Sequence, residues 1–281
     1  MRRPTRILSA FGWLHRKAAS RRTFESFAQA SRAAAALGHA YSDREMAELV
    51  VEKTVRFRDQ GAAEPTVVSA VTLRRLWALQ RLLPRQHLRV LDFGGAAGQH
   101  FFEAKHYLKS LGSDEALGQG LSLNFTWHVV ETDAMVDAAS ALSCEALRFY
   151  PSIEAAVDGF LPDIVLSSGT LQCLPNPLET LQSLMAIGAQ NLFLTRLSCS
   201  SADITGFIVE EGFIHDQGPP VPWPRSPRRA AYPLCIAPLK RFESLLTTRY
   251  SIETVLDESE LAANKVGETK SIRRGYFCRL L

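Results

Sequence analysis

Cysteine is scarce in this chain, with five residues, Cys144, Cys173, Cys199, Cys235 and Cys278, spread along 281 positions and no C-x-x-C pair among them. An odd, dispersed set argues against a disulfide framework or a thiolate zinc site, so no metal is expected, and a reducing compartment, the cytoplasm, is the simplest context. Long apolar runs are missing too. No stretch approaches the roughly 20 residues that a membrane span requires. Neither sign of charge dominates, since 32 basic and 29 acidic residues leave a net +3. A balance this mild carries no claim for nucleic acid, and no RNA-binding module is found, so no nucleic-acid partner is expected. Internal repeats and low-complexity tracts are also absent, which sets aside solenoids. Acids do not occur before Glu25, whereas MRRPTRILSAFGWLHRKAASRR carries seven Lys or Arg. That segment reads as a targeting peptide, as a helix resting on anionic lipid, or as a loose basic terminus.

What is present is ordinary globular material, 46% hydrophobic and 22% charged, enough for a sizeable core. Residues 23–85 read as helical. FESFAQASRAAAALG is Ala-rich and stops at Gly38. SDREMAELVVEKTVRFRD opens on Ser42 or Asp43 with Glu45 close behind. VVSAVTLRRLWALQRLL places Val68, Leu76, Leu79 and Leu83 near one face. Beyond Pro84 the texture alternates. HLRVLDF, FTWHVVE, LRFY, DIVLSS, NLFLTRL, YSIETVL and GYFCRLL read as strands, and helix-compatible segments separate the first five. The expected fold is α/β, a doubly wound, seven-stranded, mostly parallel sheet closed by an antiparallel hairpin. The expected organisation is a basic segment 1–22, a helical accessory region 23–85 and an α/β domain 86–281.

The first strand ends in DFGGAAG. Ligands of open parallel sheets bind at the carboxyl ends of strands, where the order reverses. Glycine there lets a ligand touch backbone. The dinucleotide fingerprint G-x-G-x-x-G is incomplete, because Phe93 holds its first position ahead of Gly95 and Gly98. Asp92 stands two residues before Gly94. A carboxylate in that turn repels a pyrophosphate and suits a cationic ammonium, such as that of S-adenosylmethionine. WHVVET ends in Glu131, placed to accept from both ribose hydroxyls. Its alternative role is to cap the next helix. LGSDEALGQGLSLNF lengthens the gap between these two features as an inserted loop.

The pattern acid, x, Gly, x, Gly, x, Gly resembles the first motif of class I S-adenosylmethionine-dependent methyltransferases, with Ala96 at the middle glycine and Gly95 additional. VLDFGGAAG, WHVVET, LRFYPSIEAA, IVLSSGTLQCLPNPLETL and NLFLTRL, in this order, are similar to a bacterial family of methyltransferases sharing a DFGG signature, from about Phe24 to the C-terminus. The resemblance implies a Rossmann-like methyltransferase fold with an N-terminal helical extension. It also implies S-adenosyl-L-methionine as cofactor, held by Asp92, Phe93, Gly94, Gly95, Gly98, Glu131, Tyr150, Ser167 and Ser168. The family's usual acid after the third strand is missing. Phe149 or Tyr150 either stacks on the base or belongs to the core. SSGTLQCLPNP resembles the loop that closes over the methionine part, with Gln172 facing the acceptor; otherwise it is an ordinary turn.

Methyl transfer needs alignment, and a base when the acceptor is a hydroxyl. The candidates are His100, His215 beside Asp216, and Tyr232. FIHDQGPPVPWPRSPRRAAYP reads as an insertion over the pocket. Arg196, Arg225, Arg228 and Arg229 are candidates to hold an anionic small-molecule acceptor, or form a solvated basic loop. The expected acceptor is an O or N atom of a small molecule, a glycan or a secondary metabolite. A homodimer through the N-terminal helices is a further expectation. The rival readings are a nicotinamide-dependent oxidoreductase and a catalytically idle cofactor-binding scaffold.

Overall fold

The computed structural model describes residues 23–60, 68–82, 87–112, 124–261, 265–266 and 269–281. The basic segment 1–22, residues 113–123 of the inserted loop, Pro65, Leu83 and Pro84 lie outside the described residues. Seven strands form the main sheet: β2 (His87–Phe93), β3 (Asn124–Val130), β4 (Leu147–Tyr150), β5 (Ile164–Ser168), β6 (Asn191–Ser200), β9 (Tyr250–Asp257) and β11 (Thr269–Leu280). Their spatial order is β4-β3-β2-β5-β6-β11-β9. The first five run parallel. The last, β11, is antiparallel to both β6 and β9 and lies between them. The expected terminal hairpin is therefore present, with its later strand on the inside. The order reverses between β2 and β5, so their carboxyl ends form the switch point.

Burial follows position in the sheet. All five residues of β5 are buried, as a central parallel strand with helices on both faces requires, whereas β9 alternates buried or half-buried with exposed, as an edge strand does. One face packs Leu91, Val165, Leu192 and Leu194 against α7 (Pro177–Ala186) and α8 (Leu239–Leu246). The other packs Val90, Trp127, Val129 and Leu166 against α3 (Ala70–Gln80) and α4 (Gln99–Gly112). The fold is thus the α/β, doubly wound, Rossmann-like sandwich expected. Of the N-terminal helices, α3 shares the sheet's own core through Leu76, Ala78 and Leu79. α2 (Arg44–Gln60) packs with α5 (Asp133–Ala139) around Met46, Ala47, Val50 and Met135. α1 (Phe27–Ala35) begins at Ser26, whose hydroxyl accepts from the Gln29 N–H at 3.3 Å.

One region departs from the sequence reading. The stretch after β6 is a β-hairpin as well as a loop. β7 (Gly206–Phe213) pairs antiparallel with β8 (Arg229–Pro238) along its whole length. β1 (Thr23–Phe24) adds a third strand, and α1 covers the hairpin through Ala30 and Ala34 against Val209 and Ala231. The prolines that suggested irregular chain, Pro219, Pro220, Pro222, Pro224 and Pro227, lie in the connection between the strands. β8 then runs parallel to β6 at Cys199–Ser200, which fixes the hairpin beside the strand ends. The remaining elements are α6 (Ile153–Val157) and β10 (Lys265–Val266).

A buried ion pair ties α3 to α4. Arg75 Nη2 donates to Glu103 Oε2 at 2.6 Å, with both side chains at most 5% exposed. Thr72 and Gln99 also donate to Glu103. Burial alone would raise the Glu103 pKa; Arg75, His100 and the hydrogen bonds outweigh it and hold the carboxyl below its ordinary value. A depressed folded-state pKa stabilises the fold above the unfolded carboxyl pKa of about 4.3, and that contribution is lost as pH falls through the lower folded value. Arg75→Met, which strands a buried carboxylate, is expected to cost about 3–5 kcal/mol in urea unfolding at pH 7, and Arg75→Met/Glu103→Leu to recover most of it. A single variant of wild-type stability would show that the pair does not hold α3 in place.

Candidate functional site

At the switch point the chain bends through Gly94 (φ 76°), Ala96 (φ 50°) and Gly98 (φ 79°) before entering α4. Each of these φ values favours glycine, and Ala96 adopts one without it. The N–H of Gly94 donates to the Val130 carbonyl at 2.9 Å, tying the loop to β3. A Cβ at Gly94 would collide with the Thr170 side chain, and one at Gly95 with the Asp92 carboxylate. The loop therefore lies directly against the Asp92 carboxylate and against Thr170 of the loop after β5. Phe93, half-buried, ends β2 beside Ser167.

Asp92 has no exposed surface, yet its carboxylate is satisfied. Trp127 Nε1 donates to Oδ2 at 3.1 Å, and His100 Nδ1 lies 2.9 Å from the same oxygen and 3.1 Å from Oδ1. Burying a lone carboxylate is prohibitive, so these donors are a condition of the loop's position. Glu131 follows β3. Its Oε1 accepts from the Ala96 N–H at 2.9 Å and its Oε2 from the Thr132 N–H at 3.0 Å. Burial raises its pKa, against the opposing effect of those two N–H groups. The side-chain cap of α5 is Thr132, not Glu131.

The aromatic pair that ends β4 separates by strand alternation. Phe149 lies beside Gly98 and packs with Ala96. Tyr150 points to the other face, with its ring 4.7 Å from that of His128. Phe149 is thus the member of the pair that lies beside the glycine loop, and Tyr150 lies on the opposite face of the sheet. Ser167 is 2% exposed, and its hydroxyl is without a hydrogen bond among the described residues. Ser168 Oγ accepts weakly from Arg75 at 3.4 Å. Gln172 is buried and accepts from the Ser198 N–H at 2.8 Å, which braces β6.

Of the three base candidates, His100 is the one next to the loop. Tyr232 on β8 is brought to the same side, stacked on Tyr41 with centroids 5.4 Å apart. Burial, then the neighbouring Tyr41 and Glu210, drive the pKa of its phenol well above the ordinary value. His215 belongs to the turn after β7. Its Nδ1 accepts from the Ser226 N–H at 3.1 Å and its Nε2 lies 3.5 Å from Asp216. Its carbonyl accepts from the buried Lys53 of α2, whose pKa burial lowers to about 8. With Nδ1 accepting from Ser226, the His215 ring is tied into the hairpin turn. Sequence reasoning missed Arg75, Thr170 and Tyr41. Tyr41 is placed by backbone stitching, His39 N–H to Arg229 O and Ala231 N–H to His39 O, both 2.9 Å.

Among the described residues no cluster of three or more His, Cys, Asp or Glu is arranged for a metal, and no helix is long and apolar enough to cross a membrane. None of the cysteines forms a disulfide. A groove of about 410 Å³ lined by Glu52, Arg56 and Trp223 is formed by other residues than the strand-end cluster.

No protein-family profile matches the chain, and no curated protein matches its sequence. Solved structures with a similar path include the CcbJ methyltransferase from Streptomyces caelestis, at 14% identity over 80% of this chain and 96% of that one, TM-score 0.44. The N-terminal domain of EvdMO1, solved with S-adenosylhomocysteine and D-fucose, gives 15%, 82%, 96% and 0.43. An S-adenosylmethionine-dependent methyltransferase from Clostridium acetobutylicum gives 10%, 82%, 98% and 0.45. These likenesses are remote, and no activity passes to this chain from them.

The Asp92 environment is open to a direct check. Trp127→Phe keeps the aromatic volume and removes one charge-assisted donor, so it is expected to cost about 1.5–3 kcal/mol in urea unfolding. An unchanged midpoint would show that Asp92 needs no donor from β3.

Proposed function

We propose that this chain is an S-adenosylmethionine-dependent methyltransferase acting on O or N of a small-molecule acceptor. The observation that carries this reading is a buried carboxylate, Asp92, pressed against a glycine loop that no side chain can enter. A negative charge at that point opposes a diphosphate and favours a cationic amino-acid tail. The residues fit such a cofactor in three further respects. Glu131 keeps lone pairs for ribose hydroxyls beyond those used by Ala96 and Thr132. The Ser167 hydroxyl is buried and unpaired, as a group awaiting a ligand would be. Phe149 offers an aromatic face beside Gly98.

The cofactor would supply an electrophilic methyl on a sulfonium, an excellent leaving group. The chain's own task is orientation and exclusion of water. The loop and the β5 end fix one partner; Tyr41 and Tyr232, carried by the N-terminal segment and the hairpin, wall the space beside them. For a hydroxyl acceptor, proton removal falls to His100. Its ring is oriented through Nδ1 by Asp92, which leaves Nε2 for the proton. The free cysteines are compatible with a reducing compartment. A homodimer through the N-terminal helices gains no support, because the apolar faces of α1, α2 and α3 are spent inside the chain.

Calorimetry with S-adenosylhomocysteine and NADH tests the reading. S-adenosylhomocysteine is expected to bind and NADH not to. Glu131→Ala is expected to weaken binding about 10- to 100-fold, from the loss of hydrogen bonds to a charged group. NADH binding without S-adenosylhomocysteine binding would overturn the assignment in favour of an oxidoreductase. Labelled cofactor that binds but transfers nothing to a cell extract would favour the idle scaffold.

Acidification gives a second check. The ionised Glu131 accepts from both ribose hydroxyls, and its pKa is raised by burial. Affinity for S-adenosylhomocysteine is therefore expected to fall with pH from a point above the ordinary carboxylate range. The fall should be absent in Glu131→Gln, and a flat profile in the wild type would remove Glu131 from the ribose.

A further inference from the structure

Arg196 stands on β6 one residue beyond the last pairing of that strand with β5, Ser168 with Thr195. Its φ is 60°, a left-handed value that a long side chain rarely takes. The cause lies across the sheet. On β11, Arg274 pairs with Leu197 and Tyr276 with Leu194, so Gly275 alone faces both Thr195 and Arg196. That is a β-bulge, a device that re-aims one side chain. Gly275 is required for it, since a Cβ there would lie 2.9 Å from the Leu194 carbonyl.

The bulge is held from three directions. The Arg196 N–H donates to the buried Glu258 carboxylate at 2.5 Å, and the Thr195 hydroxyl donates to the same group. Arg273 donates to the Arg196 carbonyl at 3.3 Å and pairs with Glu210 at 3.6 Å. The surroundings over-determine a strained backbone, a pattern associated with functional positions. The guanidinium they aim lies over Gly169, with Nε and Cζ each 3.4 Å from where a Cβ would stand. It is half-buried and has no hydrogen bond or ion pair among the described residues. Its charge reaches both Tyr41 and Tyr232. The other basic candidates are occupied or solvated. Arg228 pairs with Glu45, Arg229 with Glu211, and Arg225 is exposed.

We infer that Arg196 is the specificity residue for the acceptor, and that the acceptor bears an oxyanion, a carboxylate or phosphate, which this guanidinium binds beside the Tyr41–Tyr232 wall. A planar fork with no internal partner matches such a group bidentately. The inference rests on the methyltransferase reading for its assignment of this space to the second substrate. The same chemistry has another source, the cofactor's own carboxylate, and the experiment separates the two.

The full chain is titrated with benzoate, phenyl phosphate and uncharged benzamide in saturating S-adenosylhomocysteine, as wild type, Arg196→Met and Arg196→Gly. In the wild type at least one anion is expected to bind about tenfold or more tighter than benzamide, the scale of a charge-assisted pair. Both variants are expected to lose that preference while keeping wild-type affinity for S-adenosylhomocysteine. Arg196→Gly accommodates the left-handed φ, so its Tm is expected to equal or exceed that of the wild type. Equal binding of anion and amide by the wild type overturns the proposal, as does a preference that survives in the variants. Lost S-adenosylhomocysteine affinity in both variants also overturns it, by placing the guanidinium on the cofactor. A wild type that binds no S-adenosylhomocysteine but prefers the anions through Arg196 would sink the methyltransferase reading and leave the oxyanion site standing.

Discussion

Asp92 carries its carboxylate with no solvent contact near the carboxyl end of β2, where the sheet's order reverses between β2 and β5. Two donors make that tolerable, an indole from β3 and an imidazole from α4. Everything around the site follows from satisfying this group. Trp127 must be fully buried to reach it, which sets the register of β3 against β2. His100 must sit in the first turn of α4, which sets where the helix starts. Gly95 must lack a side chain, because the carboxylate fills the space beside it. The loop is thereby fixed over a negative charge before any ligand arrives.

A second buried charge system extends the first. Glu103 lies one turn along α4 from His100 and pairs with Arg75 of α3, which in turn reaches Ser168 at the end of β5. A helix that precedes the alternating region in sequence thus contacts the strand ends directly. The hairpin reaches the end of β6 through β8, α1 covers the hairpin, and the segment between α1 and α2 delivers Tyr41 against Tyr232. The walls of the site come from chain segments nearly 200 residues apart, and none of them belongs to the strand-loop-helix unit that carries the glycines.

Legibility in the sequence tracked how local the physics was. The five parallel strands of the main sheet were readable because buried parallel strands are short apolar runs bounded by turn residues. The glycine loop was readable because positive φ at Gly94 and Gly98 selects the residue type. The hairpin was not readable, because five prolines in its connection outweighed the apolar pattern of its strands. Phe149 and Tyr150 could not be told apart, since alternation reveals opposite faces but not which face holds the loop. Arg196 looked like one of four equivalent arginines. Its distinction depends on a bulge that exists because β11, some 80 residues later, inserts beside β6.

Local sequence by itself determined the element types, the glycine turn and the presence of acids at the ends of the first two strands. These are consequences of steric preference and hydrophobic period, which act over a few residues. Tertiary structure decided which charges are paired and which remain available. It buried Asp92 under donors, set Tyr150 on His128, enclosed His215 in a turn and left the Arg196 guanidinium without a hydrogen bond or ion pair among the described residues. The reason is that pairing and desolvation depend on distances between groups remote in sequence, and only the closed sheet brings those groups within a few ångströms.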